Sequence, residues 1–379
     1  MRTEASVVPQ PALPLSQPSL AREHASEHCT LLDGGTEAFP RMLEAISFAR
    51  HRIHLEVYTF EREGVGALFL DALVAAAKRG VLVKVVVDGW GSIGASKHLT
   101  QTLLAAGAKV RVYNPLTSLC LGRSWRNHRK ILLVDDTVAF LGGINIGDAY
   151  AAKGDVPGWA DLAVELRGDI CRQLGEKLTA GAAALSAGAV RLFLSGIGGG
   201  HRLRKRYLSA IDGAKHEVIL AHAYFLPDNS FVKALTRAAR RGVKVSLLLA
   251  GRSDVIFARA ATMRLYATFL RAGVSIHEWT ASTLHAKAAV VDGRTLLVGS
   301  FNLDPLSLVN LETLVEAEEP AVAAQAALWL DKHVALSRHV LPEQCGRSGL
   351  QRWLLDVVGL AVARFAEHFA SFIGRRRKR

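Results

Sequence analysis

Apolar and polar positions form the same succession of patterns twice along this chain. In each half, a helix-like segment precedes a strand, an amphipathic helix and a second, continuously apolar strand. A strand that is apolar throughout is typical of a central strand covered on both faces. The predicted elements are residues 42–50, 52–58, 67–78 and 81–87 in the first half, and 207–215, 217–220, 231–240 and 243–249 in the second.

Two shorter apolar runs follow later in each half, and they predict further strands. Alternating helices and strands indicate the α/β class. We therefore predict two similar α/β/α sandwich halves that form one active site at their interface. The later runs are residues 131–134 and 138–141, matched by 288–291 and 295–298.

Composition predicts four parts of the chain. Residues 1–27 are rich in proline and serine and lack the basic-then-apolar build of a signal peptide, so a disordered leader is expected. The two halves are assigned to residues 28–188 and 189–340. A glycine-rich run at residues 195–200 is interpreted as the loop between them. This run lacks the lysine of a phosphate-binding loop, so nucleotide binding is not expected there. Residues 341–379 form a separate apolar and basic tail.

The formal net charge of +13 points to an anionic partner, which could be nucleic acid or an anionic membrane surface. No stretch approaches the roughly 20 unbroken apolar residues of a transmembrane helix. The four cysteines are far apart and show no CxxC spacing. A disulfide framework or a zinc site is therefore not expected, and a reducing cytoplasm fits.

One short motif occurs in both halves: His-x-Lys-x4-Asp, followed by Gly-Gly/Ser-x-Asn. A single copy could arise by chance, but two copies within matching repeats indicate a functional site built by both halves. The first copy consists of His128, Lys130, Asp135, Gly142, Gly143 and Asn145, and the second of His285, Lys287, Asp292, Gly299, Ser300 and Asn302.

The residue types in this motif suit attack on a phosphodiester. One histidine can form a covalent phosphoenzyme, while the other protonates the leaving oxygen and then deprotonates the acceptor. Lys130 and Lys287 are expected to hold the nonbridging oxygens, because an ammonium offsets charge in the transition state. On a strand, each histidine and its lysine share a face. Asn145, Asn302 and Ser300 are candidate hydrogen-bond partners of the same oxygens.

The remaining carboxylates of the site have less distinctive patterns. Asp135 and Asp292 belong to the catalytic motif, but their places at strand ends suggest a structural role. Each histidine also needs a partner that fixes its tautomer. Candidates on the next strand-like segment of each half are Asp161 and Glu312, with Glu165 and Glu316 as competitors. No cluster has metal-ligand spacing and lysines beside the histidines repel divalent cations, so neither a metal nor another cofactor is expected.

The duplicated motif resembles that of the phospholipase D superfamily, and within it the chain is most similar to bacterial cardiolipin synthases of the short type, without N-terminal membrane helices. The likeness covers nearly the whole chain outside the leader and the tail. The segments that carry it are residues 55–60, 78–81, 88–92, 127–130, 224–228 and 299–305.

This resemblance implies a metal-independent transphosphatidylase. A phosphatidyl-histidine would form and the hydroxyl of a second phosphatidylglycerol would resolve it, giving cardiolipin and glycerol. The resemblance makes His128 the nucleophile and His285 the acid and base, although the sequence itself does not order them. Two departures concern acceptor specificity: Gly143 stands where many members have serine, and Leu306 where many have arginine.

Alternatives to a transphosphatidylase are a hydrolase that produces phosphatidic acid, a nuclease of the same superfamily, and a non-catalytic lipid-binding protein. A nuclease is disfavoured because aromatic residues are only 7% of the chain and none interleave with basic groups as a stacking platform. The expected partners are therefore anionic phospholipids, phosphatidylglycerol above all, and the membrane surface, with no nucleic acid. No protein partner is inferred.

The tail supports a peripheral location on the cytoplasmic face of the bacterial inner membrane. Its apolar stretch has a polar stripe, and five basic residues end it at positions 375–379. An amphipathic helix with a basic end can lie in an anionic membrane interface. The alternative is a helix that docks on the protein with a solvated basic end.

Overall fold

The computed structural model describes residues 28–345, except for residues 155, 179–181 and 253–255. The predicted leader and the predicted tail from residue 346 onward lie outside the described residues. Within the described ranges, every helix is too short or too polar to cross a bilayer.

In the first half, the described residues form a seven-stranded sheet in the order β1-β7-β6-β5-β2-β3-β4. Strands β2, β3 and β4 run parallel, and β5, β6 and β7 continue the sheet in alternating directions. The elements are β1 (His28–Asp33), α1 (Gly34–Phe48), β2 (Arg52–Val57), α2 (Val65–Lys78), β3 (Leu82–Asp88), α3 (Ser96–Ala105), β4 (Lys109–Tyr113), β5 (Ile131–Val134), β6 (Val138–Gly142), β7 (Leu162–Arg167) and α4 (Asp169–Lys177).

The second half repeats this order within a nine-stranded sheet, β16-β12-β11-β10-β13-β14-β15-β9-β8. Strands β9 to β15 correspond to the seven strands of the first sheet, and β8 and β16 extend its two edges. The elements are β8 (Ala183–Ala187), β9 (Val190–Leu194), α5 (Gly200–Gly213), β10 (Glu217–His222), α6 (Asn229–Arg240), β11 (Lys244–Ala250), α7 (Ile256–Arg271), β12 (Ser275–Trp279), β13 (Lys287–Val291), β14 (Thr295–Gly299), β15 (Thr313–Ala317), α8 (Pro320–Ala335) and β16 (Arg338–His339).

Strand β8 lies before the predicted boundary between residues 188 and 189, yet it pairs with β9 in the second sheet. The domain limits from composition stay a prediction, and the sheet pairing indicates that the second sheet begins earlier than that limit.

Alternate residues of the central strands face opposite layers. In β5, Ile131 and Leu133 face a core shared with the second sheet, whereas Leu132 and Val134 face the core under α1, α2 and α3. The shared core also contains apolar residues of β13, β14, α4 and α8, while α5, α6 and α7 cover the outer face of the second sheet. This arrangement confirms the α/β prediction with two similar halves.

Both motif histidines lie at one edge of the molecule, where the parallel strands β2 and β10 end. Strand β5 runs antiparallel to β2 and β13 antiparallel to β10, so the segments that enter β5 and β13 begin where β2 and β10 end. Two isolated bridges, Asn127 with Leu311 and Ala160 with Leu284, join these edges across the halves. The fold therefore brings the two motifs to one interface.

Candidate active site

His128 lies in the extended segment that enters β5, and its ring is anchored by a carboxylate. The Nδ1 atom of His128 is 3.0 Å from Oε2 and 3.1 Å from Oε1 of Glu312. The Ser300 hydroxyl donates a hydrogen bond to the same carboxylate. The Tyr58 ring makes a T-shaped contact with the imidazole, with ring centroids 5.1 Å apart.

His285 lies just before β13 and has an equivalent anchor in different surroundings. Its Nδ1 atom is 2.6 Å from Oδ2 of the fully buried Asp161. Two aromatic rings enclose the imidazole, with centroid distances of 5.4 Å to Tyr150 and 5.5 Å to Trp159. In both halves an ionised carboxylate can only accept, so Nδ1–H donates and the lone pair of the neutral ring lies on Nε2.

The carboxylate partners are exchanged between the halves. Glu312, from the second half, binds the first-half His128, and Asp161, from the first half, binds the second-half His285. The competing candidates Glu165 and Glu316 instead form ion pairs with arginines. These pairs are Glu165 with Arg41 and Arg167, and Glu316 with Arg191 and Arg206.

Both motif lysines are buried and fold back onto their own histidine segments. The ammonium of Lys130 donates to the backbone oxygen of His128 at 2.8 Å, and that of Lys287 donates to the backbone oxygen of His285. Burial lowers the pKa of Lys130 to about 7, Glu312 opposes this effect, and the nearby Lys287 adds to it. The two ammonium groups therefore repel each other, which marks their site as one that favours an anion.

Burial also lowers the pKa of both histidines. For His285 the pKa falls to about 3, mainly because the ring is buried; the adjacent Lys287 adds to this effect and Asp161 opposes it. For His128 the downward shift combines burial with the charges of Lys130 and Lys287, against the opposing Glu312. Burial alone would raise the pKa of Asp161, but His285 and Lys287 lower it. Each half's histidine thus responds to the other half's lysine, and both imidazoles are neutral near pH 7.

The three predicted phosphate ligands, Asn145, Ser300 and Asn302, differ in whether their side chains already have hydrogen-bond partners. The side-chain nitrogen of Asn145 donates to the Tyr150 hydroxyl at 2.7 Å, and its oxygen accepts from the Thr59 amide at 3.1 Å. The Ser300 hydroxyl is committed to Glu312. These two residues therefore support other site residues rather than presenting free donors to phosphate. Asn302 is buried, and its side-chain oxygen has no hydrogen-bond partner among the described residues.

Gly143 occupies the position that Ser300 has in the second half. A β-carbon at residue 143 would lie 2.2 Å from Oδ1 of Asp161, far inside van der Waals contact. The carboxylate therefore takes the space that a serine would need, and the departure noted in the sequence follows from the position of Asp161.

The aspartates of the two motifs lie away from the histidines. Asp135 accepts hydrogen bonds from the backbone amides of residues 50–52, each at 2.8 Å, in the turn between α1 and β2. Asp292 accepts from residues 215–217 in the turn before β10, at 2.8–2.9 Å. Both have positive φ angles, 50° and 53°. Each carboxylate closes a helix–strand turn, which fits the structural role that its place at a strand end suggested, and its inclusion with the catalytic groups stays a prediction.

Sequence reasoning missed the aromatic residues that contact the histidines. Tyr58 lies within the segment 55–60 that carries the family resemblance, and Trp159 stands two residues before Asp161. Tyr150 is buried and gives no periodic signal. Tyr58 and Trp159 could have been found because each lies close in sequence to residues that were already singled out. The sequence offers no such signal for Tyr150.

Comparisons with known proteins identify the family of this chain. The family model described as cardiolipin synthase, PLD-like domain, matches residues 42–153 and again residues 207–334. Cardiolipin synthase B of Escherichia coli K12 is 35% identical over 309 residues, which span 75% of each chain. Cardiolipin synthase of Alkalihalophilus pseudofirmus is 32% identical over 76% of this chain and 62% of its own.

A solved structure shows the same fold. The crystal structure of phosphatidylserine synthase from Haemophilus influenzae superposes with a TM-score of 0.70, covering 91% of this chain and 94% of that chain at 13% identity. At that identity the likeness concerns the fold alone. Both family matches include a motif histidine and its lysine.

Proposed function

Since the chain belongs to the cardiolipin synthase family of phospholipase D-like proteins, we propose that it is a phosphatidyltransferase that makes cardiolipin from two phosphatidylglycerol molecules. The observation that carries the proposal is the crossed arrangement of two histidine–carboxylate pairs beside two buried lysines. A phosphodiester is an anion, and two lysine ammoniums held in one buried site offset its charge.

The proposed reaction has two displacements. In the first, the acid histidine takes up a proton at Nε2 when the anionic phosphodiester binds beside it. Nε2 of the other histidine then attacks phosphorus, the bond from phosphorus to the glycerol oxygen breaks, and the acid histidine gives its Nε2 proton to that oxygen. In the second, the same histidine removes the proton from a hydroxyl of a second phosphatidylglycerol, which attacks phosphorus and releases the nucleophilic histidine. The Glu312 and Asp161 carboxylates stabilise each ring when it carries positive charge.

The roles of the two histidines follow the family likeness: His128 is the nucleophile and His285 the acid and base. Both imidazoles have a carboxylate on Nδ1, so the presence of an anchor does not order the roles. Lys130 and Lys287 bind the nonbridging oxygens, and Asn302 contributes its side-chain amide to the same group. Asp161 and Glu312 position the imidazoles.

We further propose that the protein acts as a peripheral protein on the cytoplasmic face of the bacterial inner membrane. Its substrate is a lipid, and the net charge of +13 favours an anionic surface. The apolar and basic tail would strengthen this attachment. Deletion of residues 353–379 is therefore expected to weaken binding to anionic liposomes, and unchanged binding would exclude a role of the tail.

The function is tested by product analysis. Purified protein is incubated without added metal with phosphatidylglycerol, phosphatidylethanolamine and single-stranded DNA in separate reactions. Cardiolipin and glycerol from phosphatidylglycerol are expected. Phosphatidic acid as the lone lipid product would assign a hydrolase instead, and DNA cleavage would assign a nuclease. The His128→Ala variant is the control, and its full activity would contradict the two-histidine site.

A further inference from the structure

Four exposed apolar side chains lie on loops at the edge of the molecule where the histidines are. Trp90 and Ile93 follow β3, Leu116 follows β4, and Leu306 follows β14. Their exposed fractions are 53%, 59%, 37% and 53%, respectively. Because β3 and β4 are parallel to β2, their carboxyl ends share the edge from which the His128 segment enters β5. We call these four residues the rim.

The Trp90 loop is attached to the segment that carries His128. The backbone amide of Trp90 donates to Oδ1 of Asp88 at 2.8 Å, and Oδ2 of Asp88 accepts from the Asn127 amide at 2.9 Å. The Arg126 guanidinium lies over the Trp90 ring, 5.6 Å from its centroid. Asn127 is the residue before His128, so the indole ring has a fixed position next to the candidate active site.

The Leu306 loop is attached to the same segment from the other half. The side-chain oxygen of Asn310 accepts from the backbone amide of Arg126 at 2.9 Å, and the backbone amide of Asn310 donates to the Leu306 oxygen at 3.1 Å. Arg126 thus contacts the Trp90 loop with its side chain and the Leu306 loop with its backbone. The rim residues of the two halves are therefore parts of one connected surface around the site.

Exposed basic residues accompany the rim. Lys97 lies in the first turn of α3, close after Ile93, and Arg123 lies in the loop before Arg126. Arg202 lies in the first turn of α5, where the Gly200 amide donates to the Leu308 oxygen, two residues beyond Leu306. Apolar side chains next to basic groups match the interface of an anionic bilayer, where an indole ring is also favoured.

Single exposed apolar residues are common on soluble proteins, and the opposite edge also has them. Phe48, at the end of α1, is 63% exposed, and Leu82, at the start of β3, is 72% exposed. The rim differs because it lies at the edge of the molecule that carries the histidines, and because it combines residues of both halves with basic groups. The opposite edge provides a matched control.

We propose that the rim inserts into the headgroup region of an anionic bilayer and so holds the active site over its lipid substrates. This proposal rests on the proposed function for its choice of a lipid surface. It adds a docking surface within residues 90–306 that is separate from the tail, and it fixes the orientation of the protein on the membrane.

The test uses full-length protein, so that any contribution of the tail is the same in each sample. The rim variant carries Ile93→Ser and Leu116→Ser, and the control variant carries Phe48→Ser and Leu82→Ser. Binding is measured by co-sedimentation with vesicles of phosphatidylglycerol and phosphatidylcholine, and with vesicles of phosphatidylcholine alone. Turnover is measured with bilayer phosphatidylglycerol and with a short-chain, monomeric phosphatidylglycerol. Unfolding midpoints verify that both variants are folded.

The rim variant should bind anionic vesicles about 10-fold more weakly than wild type, because two apolar side chains no longer insert. Its turnover of bilayer substrate should fall similarly, while turnover of the monomeric lipid stays within about twofold. The control variant should match wild type. Wild-type vesicle binding by the rim variant, or an equal loss in the control, would overturn the proposal. If wild type makes no product from either lipid, the proposed function fails, while the binding comparison still decides the role of the rim.

Discussion

The surroundings of His128 and His285 differ although the same motif supplies both. His128 is anchored by the longer Glu312, which Ser300 supports, and one tyrosine ring contacts its imidazole. His285 is anchored by the shorter Asp161, which leaves no room for a side chain at Gly143. Tyr150 and Trp159 enclose His285.

The features that the two halves share indicate which parts of the repeat the chemistry requires. Both halves retain an imidazole with a carboxylate on Nδ1. Both also retain a buried lysine whose ammonium donates to the backbone oxygen of the motif histidine. The length of the carboxylate and the aromatic contacts have diverged between the halves. Two histidines with distinct environments can perform different steps of one reaction, as a nucleophile and an acid–base pair require.

Removal of either imidazole is expected to have the largest effect and to separate the two histidines. His128→Ala and His285→Ala should each reduce turnover of phosphatidylglycerol roughly 10⁴-fold. A nitrophenyl phosphodiester has a leaving group that needs no protonation. With this substrate His285→Ala should still release one equivalent of nitrophenol in a burst, whereas His128→Ala should not. The opposite pattern would exchange the two roles.

The second-largest effect is expected when the charge of an anchoring carboxylate is removed. Glu312→Gln and Asp161→Asn should each lower kcat about 10²-fold or more, since an amide does not stabilise an imidazolium as a carboxylate does. Because the anchors are crossed, Glu312→Gln should reproduce the burst pattern of His128→Ala, although residue 312 lies in the other half. Glu165→Gln is the control and should retain kcat within about twofold. A Glu312→Gln variant that resembles His285→Ala would contradict the crossed pairing.

The shifted pKa of Lys130 predicts a smaller effect that depends on pH. As pH rises through about 7, the ammonium of the free enzyme loses its proton, so kcat/KM for an anionic substrate should fall about fivefold between pH 7 and pH 8. Lys130→Arg keeps its charge and should move this decline to higher pH. A pH profile of kcat/KM for both proteins measures the shift, and coincident profiles would exclude Lys130 as its origin.

The lowered pKa of Lys130 also predicts how the stability of the fold changes with pH. The pKa of Lys130 is lower in the folded protein than in the unfolded chain, so the buried charge destabilises the fold in full below pH 7. This cost disappears as pH rises from about 7 towards the unfolded value. Lys130→Met should therefore be inactive yet at least as resistant to denaturant as wild type at pH 6. A large loss of stability in this variant would refute the inference.

The smallest effect on activity is expected at the motif aspartates. Asp135→Ala and Asp292→Ala should each lower the free energy of unfolding by about 1 kcal/mol, since solvent weakens the three amide hydrogen bonds of each carboxylate. Turnover of folded protein should stay within about twofold. Chemical denaturation and initial rates measure the two effects, and a loss of turnover like that of the histidine variants would place these aspartates among the catalytic groups.

Elements with their own periodic pattern were predictable from the sequence. Helix α6 was predicted over residues 231–240 and spans Asn229–Arg240, with the Asp228 side chain capping its first amides. Strand β5 has the predicted bounds. The strand prediction was less accurate at the motif itself, because His128 and Lys130 precede β5 and Lys287 is the first residue of β13.

The pairing inside the site was not predictable in the same way. Glu312 and His128 are 184 positions apart, and their contact depends on how two sheets pack. Asn145 has the side chain of a phosphate ligand, but packing directs its amide to Tyr150. Residue type and local period therefore identified which groups carry chemistry, while the partner of each group depended on tertiary structure.

The crossed carboxylates also have a consequence for biosynthesis. A ribosome makes the chain from its N-terminus, so His128, Lys130 and Asp161 leave the exit tunnel long before Glu312. Until then His128 lacks its anchor and the first motif has no partner from the second. The growing chain therefore lacks the complete set of site residues until synthesis has passed Glu312.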